Sequence, residues 1–186
     1  MPLILPESSI KQYHEEGFTL AEGTICNDFI ESLKTILKDW SDKTILEWKE
    51  KELIIDIEKD LPFEKRLAVL WEKAGRPKYL RSPRRDLICE DLFNILRHPT
   101  LLDIDEDILN CPNISVHGIF NARPKLPDQS WTRTPWHQDA QYYPDAAKKH
   151  VLSIWIPLQN VAESNSCLQV APNSHNIGLF EAYNDP

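Results

Sequence analysis

Apolar residues recur at helical spacing through the first half of the chain and gather in short, two-faced runs through the second. Ser9 with Gln12 makes an S-x-x-Q capping pattern, predicting a helix that starts at Ser9 and ends near Gly17. Phe18-Thr19-Leu20 reads as a short extended piece. Asp28 with Glu31 predicts a second start, followed on one face by Phe29, Ile30, Leu33, Ile36, Leu37 and Trp40. Pro62 opens a third helix carrying Phe63, Leu67, Leu70, Trp71 and Ala74, with Gly75 as its stop. Leu92, Phe93, Ile95 and Leu96 predict a fourth, closed by Pro99. Leu101, Leu102, Ile104, Ile108 and Leu109 predict a fifth.

The second half changes character. Residues 114–120, 134–139, 150–158 and 167–171 are short β-branched or aromatic runs, separated by Pro, Asn, Asp and Ser. The run from Val151 to Leu158 is apolar on both faces apart from Ser153, as a central strand would be. The pattern predicts one α+β domain, mainly helical over 1–112 and built of strands over 113–180.

Composition narrows the function more than the fold. The 186 residues suffice for one domain with a real core, and no apolar run approaches the length of a membrane span. The N-terminus, interrupted by Pro2 and Pro6, lacks the basic start of a signal peptide, so the expected location is the cytoplasm. A net charge of −8 argues against nucleic acid as a partner. Five glycines, with no G-x-G-x-x-G or Walker pattern, exclude a glycine-rich phosphate loop. Cys26, Cys89, Cys111 and Cys167 form no C-x-x-C and are expected to be reduced and partly buried.

The candidate chemistry lies in Trp136-His137-Gln138-Asp139. On extended backbone, residues two apart face the same side, so His137 and Asp139 could ligate one metal ion. His14-Glu15-Glu16 has the same form but falls in a predicted helix, where positions two apart diverge by roughly 200°. On spacing alone, a surface His and Asp that merely hydrogen-bond explain the tripeptide at least as well.

The surroundings add more. Gln12-Tyr13-His14-Glu15-Glu16-Gly17-Phe18, the run from Thr134 to Tyr142, Trp155-Ile156-Pro157-Leu158, Glu163 to Leu168 and Ala171-Pro172-Asn173-Ser174-His175 occur in order. Together they resemble the phytanoyl-CoA dioxygenase family of Fe(II)/2-oxoglutarate oxygenases. Ser166 and Asn173 stand where that family usually has glycine; both positions are expected in turns, where Asn is the milder change.

The resemblance implies a double-stranded β-helix, a cupin-like jelly roll, with N-terminal helices. It implies Fe(II) and 2-oxoglutarate as cofactors, His137 and Asp139 as metal ligands, and Asn121 and Trp155 against the cosubstrate. For the latter two, a strand-end asparagine and a core tryptophan are equally good readings. It implies a small organic or lipid-like substrate and O2 as partners. Related halogenases carry a small residue in place of the carboxylate, so Asp139 favours hydroxylation over halogenation.

The resemblance also implies a third ligand, a late His, and an Arg or Lys about ten residues beyond it; both are expected past Pro186. His150 comes too early, His175 belongs to a structural turn, and His98 and His117 lack motif support. The expectation is therefore an incomplete domain, lacking its C-terminal strands and inactive as a 186-residue polypeptide. The rival is a non-catalytic binding or interaction module. Arg76, Lys78, Arg81, Arg84 and Arg85 form a basic patch that reads as a solvated loop, or less readily as a site for a carboxylate or phosphate. Substrate identity and oligomeric state are not encoded in these patterns.

Overall fold

The computed structural model describes residues 3–78, 80, 86–117, 120–128, 134–143 and 150–180. Among these, five α-helices form: α1 (Glu7–Glu16), α2 (Asn27–Glu50), α3 (Phe63–Lys73), α4 (Glu90–Leu96) and α5 (Pro99–Leu109). Helix α2 packs against α3 and α4, and α1 against α5.

The helix boundaries show which local signals dominate. Helix α1 starts behind Pro6, whose carbonyl accepts from the amides of Ser9 and Ile10, so Ser9 lies inside the helix rather than at its cap. A proline at φ −57° already has the dihedral that helix entry needs, and it outcompetes the capping box. Gly17 does stop the helix, at φ 85° with its amide on the Tyr13 carbonyl. Helix α2 runs past Trp40 to Glu50, burying Ser41, Thr44, Ile45 and Trp48. Pro99 opens α5 instead of merely closing α4, and the amide of Thr100 donates to His98 Nδ1 at the cap.

Three apolar clusters hold the helices. Phe29, Ile36, Trp40, Leu92, Ile95 and Leu101 form the first, with Leu87. Ile45, Trp48, Leu70 and Trp71 centre the second, and Leu5, Ile104 and Ile108 the third. The buried Arg66 side chain crosses from α3 to the α2–α3 connection. Its Nε donates to the Ile57 carbonyl at 2.9 Å, and its guanidinium pairs with Asp42.

The jelly roll implied by the resemblance is not seen: no β-strand or sheet occurs among the described residues. The described residues of the second half lie along the helices without strand partners. Phe120, Ala122 and Ile156 lean on the first cluster, Leu126 fills the second and Leu152 the third. Residues at even separations thus reach the helical layer, although the run from Val151 to Leu158 reads as apolar on both faces in the sequence. A strand, however, requires cross-strand N–H and C=O partners, and periodicity along one segment does not supply them. Consequently the expected central strand, 150–158, lies singly on the helices and leaves Trp155 about half exposed, at 48%. Cys26, Cys89 and Cys111 are exposed and Cys167 is half-buried; all four are free thiols, less buried than expected.

Candidate metal centre

His137 and Asp139 are brought together by one extended residue. Gln138, at φ −111° and ψ 124°, separates them, and Asp139 opens a short 3-10 turn, Asp139–Tyr142. A strand ladder is therefore not needed for the two side chains to converge. His137 Nε2 stands 3.2 Å from Asp139 Oδ1. The other ring nitrogen, Nδ1, lies 2.8 Å from the Pro135 carbonyl. A carbonyl only accepts, so Nδ1 carries a proton and donates. On a neutral ring that leaves the Nε2 lone pair facing a carboxylate oxygen.

A metal ion placed between or beside these two atoms would accept both lone pairs. Cis ligands each about 2.1 Å from one ion stand about 3.0 Å apart, so the spacing suits a shared metal. Imidazole and carboxylate also suit Fe(II). A group of three His, Cys, Asp or Glu side chains does not form among the described residues.

Hydrogen bonds, more than burial, hold the pair in place. The Gln138 amide nitrogen donates to the Gly178 carbonyl at 2.8 Å and the Ser174 carbonyl at 3.3 Å, and its oxygen accepts from the Phe180 amide at 2.9 Å. Gln141 adds a bond to the Phe180 carbonyl at 2.7 Å. The turn that receives Gln138 is itself docked on α1. The Asn173 amide donates to the Glu16 carbonyl at 2.8 Å, and His175 Nε2 donates to the His14 carbonyl at 3.2 Å. The His175 ring covers Gly17, where a Cβ would lie 2.5 Å from Nδ1. Ser153, from the extended segment, donates its hydroxyl to Asp139 Oδ2.

Among the described residues, the other sequence candidates have different partners or none. Asn121 and Trp155 make no hydrogen bond or ring contact with His137 or Asp139 among the described residues. Their neighbours Phe120, Ala122 and Ile156 turn inward, so both stand on the face away from the helices. His98 caps α5 and meets Phe29 edge-on, with ring centroids 4.9 Å apart. His117 meets Tyr143 at 5.2 Å. Of the basic patch, Arg76 bonds Glu72 at 2.8 Å, reaches Asp128 at 3.5 Å and lies over the Trp71 ring. That is the solvated, paired reading for Arg76; Arg81, Arg84 and Arg85 lie outside the described residues. Ser166 and Asn173 do occupy left-handed backbone, at φ 66° and 62°. The residues missed by sequence reasoning as parts of the site are Gln138 and Ser153. Ser153 had a signal, being the lone polar side chain of its run.

His137 and Asp139 thus converge beside the segment that carries Ser153. The phytanoyl-CoA dioxygenase family model matches residues 13–185, and the chain belongs to that family. A probable phytanoyl-CoA dioxygenase of Caenorhabditis elegans is 26% identical over 87 residues, covering 45% of this chain and 28% of its own length. The peroxisomal phytanoyl-CoA dioxygenase of Mus musculus is 30% identical over 87 residues, 46% of this chain and 25% of its own. That of Homo sapiens is 23% identical over 170 residues, 91% of this chain and 47% of its own. The chain thus spans less than half the length of these relatives. No solved structure matches it. No helix of the described residues is long and apolar enough to cross a membrane.

Proposed function

We propose that this chain carries two metal ligands, His137 and Asp139, of an Fe(II)/2-oxoglutarate-dependent dioxygenase of the hydroxylase type. The observation that carries this reading is the convergence of Nε2 and Oδ1 at 3.2 Å, in a chain of the phytanoyl-CoA dioxygenase family. The Pro135 carbonyl holds the His137 tautomer that leaves Nε2 free to bind a cation. Gln138 ties the backbone between the ligands to the 173–180 turn. Asn121 and Trp155, on the face away from the helices, would border the cosubstrate. When bound, iron and 2-oxoglutarate would supply the oxidation of a small organic or lipid-like substrate by O2. The carboxylate at Asp139 favours hydroxylation over halogenation.

The two halves, 1–112 and 113–180, act in this reading as one domain, because the extended segments pack on all three helical clusters. With two ligands proposed, the 186-residue polypeptide is expected to form no succinate from 2-oxoglutarate; succinate formation would overturn that part. Location in the cytoplasm is likewise a proposal, to be set by imaging against the peroxisomal naming of the mouse and human relatives.

The decisive experiment is an anaerobic Co(II) titration, Co(II) standing in for Fe(II). The chain should bind Co(II), and His137→Ala and Asp139→Ala should each weaken binding about tenfold or more. Binding that ignores both substitutions would overturn the site. No binding at all would favour the non-catalytic module.

A further inference from the structure

We propose that Ser153 is a positioning residue that holds Asp139 to ligation through a single oxygen. The inference rests on the metal reading of His137 and Asp139 and adds to it how the carboxylate is presented.

A carboxylate can offer an ion one oxygen or two, and the two-oxygen mode uses an extra coordination position. Asp139 is exposed, and it heads a short turn, so the turn itself does not select a mode. Rotation about the last side-chain torsion of Asp is broad, with no sharp staggered minimum. Something outside the turn must therefore choose which oxygen faces the metal. The two oxygens have different partners: Oδ1 faces His137 Nε2, and Oδ2 accepts the Ser153 hydroxyl. With Oδ2 engaged, Oδ1 is left as the ligating atom.

Ser153 is suited to the task because its own segment is anchored. Leu152 packs in the third apolar cluster and Ile156 against the first. The hydroxyl thus projects from backbone tied to the helical layer, whereas His137 and Asp139 sit in an exposed turn. The same geometry explains why a hydroxyl interrupts the otherwise apolar run from Val151 to Leu158. A purely structural serine at an exposed position would gain little from one bond to a solvated carboxylate.

The test compares the unsubstituted chain with Ser153→Ala and Ser153→Thr, by Co(II) titration and Co(II) visible absorption, with circular dichroism as the check on folding. Ser153→Ala should bind Co(II) about tenfold more weakly and change the absorption envelope, because the coordination number changes. Ser153→Thr, which keeps the hydroxyl, should stay within about twofold of the original. An unchanged affinity and spectrum in Ser153→Ala would overturn the proposal while leaving the metal site standing. Equal losses in both variants would overturn it too, since the hydroxyl would then be irrelevant. Failure of the unsubstituted chain to bind Co(II) would remove the metal reading and this inference together.

Discussion

Helices α1 to α5 and the extended segments after them stabilise themselves differently. In the helical part, Trp40, Trp48 and Trp71 are nearly inaccessible, at 3%, 4% and 1% exposure. Beyond Leu126 no described residue is buried. A helix satisfies its own backbone hydrogen bonds, so one apolar stripe suffices to dock it. An extended segment satisfies none of its own and offers one face at a time. The candidate metal centre lies in this second part. Its precision comes from a few side-chain hydrogen bonds that reach back to anchored backbone, rather than from packing density.

The largest test of that contrast is a pair of tryptophan truncations. Trp71→Ala removes a fully buried ring whose Nε1 donates to the Pro77 carbonyl at 3.0 Å, and should cost about 3–5 kcal/mol in urea unfolding. Trp155→Ala removes a ring about half exposed and should cost about 0.5 kcal/mol or less. Comparable losses would show that the two parts are equally packed, and the comparison would fail.

The same contrast explains what was legible in the sequence. Helical periodicity found α2 to α5 because each needs only local order and one buried stripe, and a capping pattern with Gly17 found α1, which buries no residue. Their ends were less legible. Pro6 and Pro99 set helix starts that a capping box and a supposed stop signal obscured. The far end of α2 was hidden because it buries Ser41 and Thr44 among its apolar residues. The change of residue pattern after residue 113 set this half apart from the helical one, but read as strands. It could not say that the segments lack strand partners, because pairing depends on chain far away in sequence. At the site, the i, i+2 relation of His137 and Asp139 was readable. The hydrogen bonds of Ser153 and Gln138 were not, since both act across long separations, on Asp139 and on the 174–180 segment, although Ser153 stood out as the lone polar side chain of its run.

The joint between the two parts supplies the next test. Gly17 ends α1 at φ 85°, and a Cβ there would meet the His175 ring. Gly17→Ala should cost about 2 kcal/mol, from left-handed strain plus the clash. Adding His175→Ala should recover part of that loss, and the double-mutant cycle measures how much of the cost is the contact. Strict additivity would mean that the turn at 173–178 is not docked on α1.

Inside the helical part, Asp105 tests whether dense packing carries an electrostatic cost. Burial raises its pKa from 3.8 to about 6, and burial followed by the Asp105 charge raises that of Tyr13. The folded chain therefore binds more protons than the unfolded one between about pH 4 and 6. The stabilising contribution of protonated Asp105 is full below that window and is lost as pH rises through it. Asp105→Asn should flatten this dependence and raise stability at pH 7 by about 1 kcal/mol, a value reduced for partial solvent screening. An unchanged pH profile of urea midpoints would contradict the burial.

The smallest effect concerns the extended part alone. Ser166 holds φ 66° and ψ 49° at the end of the short turn Glu163–Asn165. A residue with a Cβ pays about 1 kcal/mol or more for that conformation, whereas glycine adopts it freely but loses more entropy on folding. The two terms partly cancel, so Ser166→Gly should stabilise by about 0.5 kcal/mol. Asn173, at φ 62°, should gain less from glycine because asparagine tolerates the left-handed region better than serine does. The order of the two gains is the sharper readout, since it depends on local backbone strain and not on packing. Equal or reversed gains in thermal unfolding would mean that side-chain contacts, rather than turn geometry, govern this part of the chain.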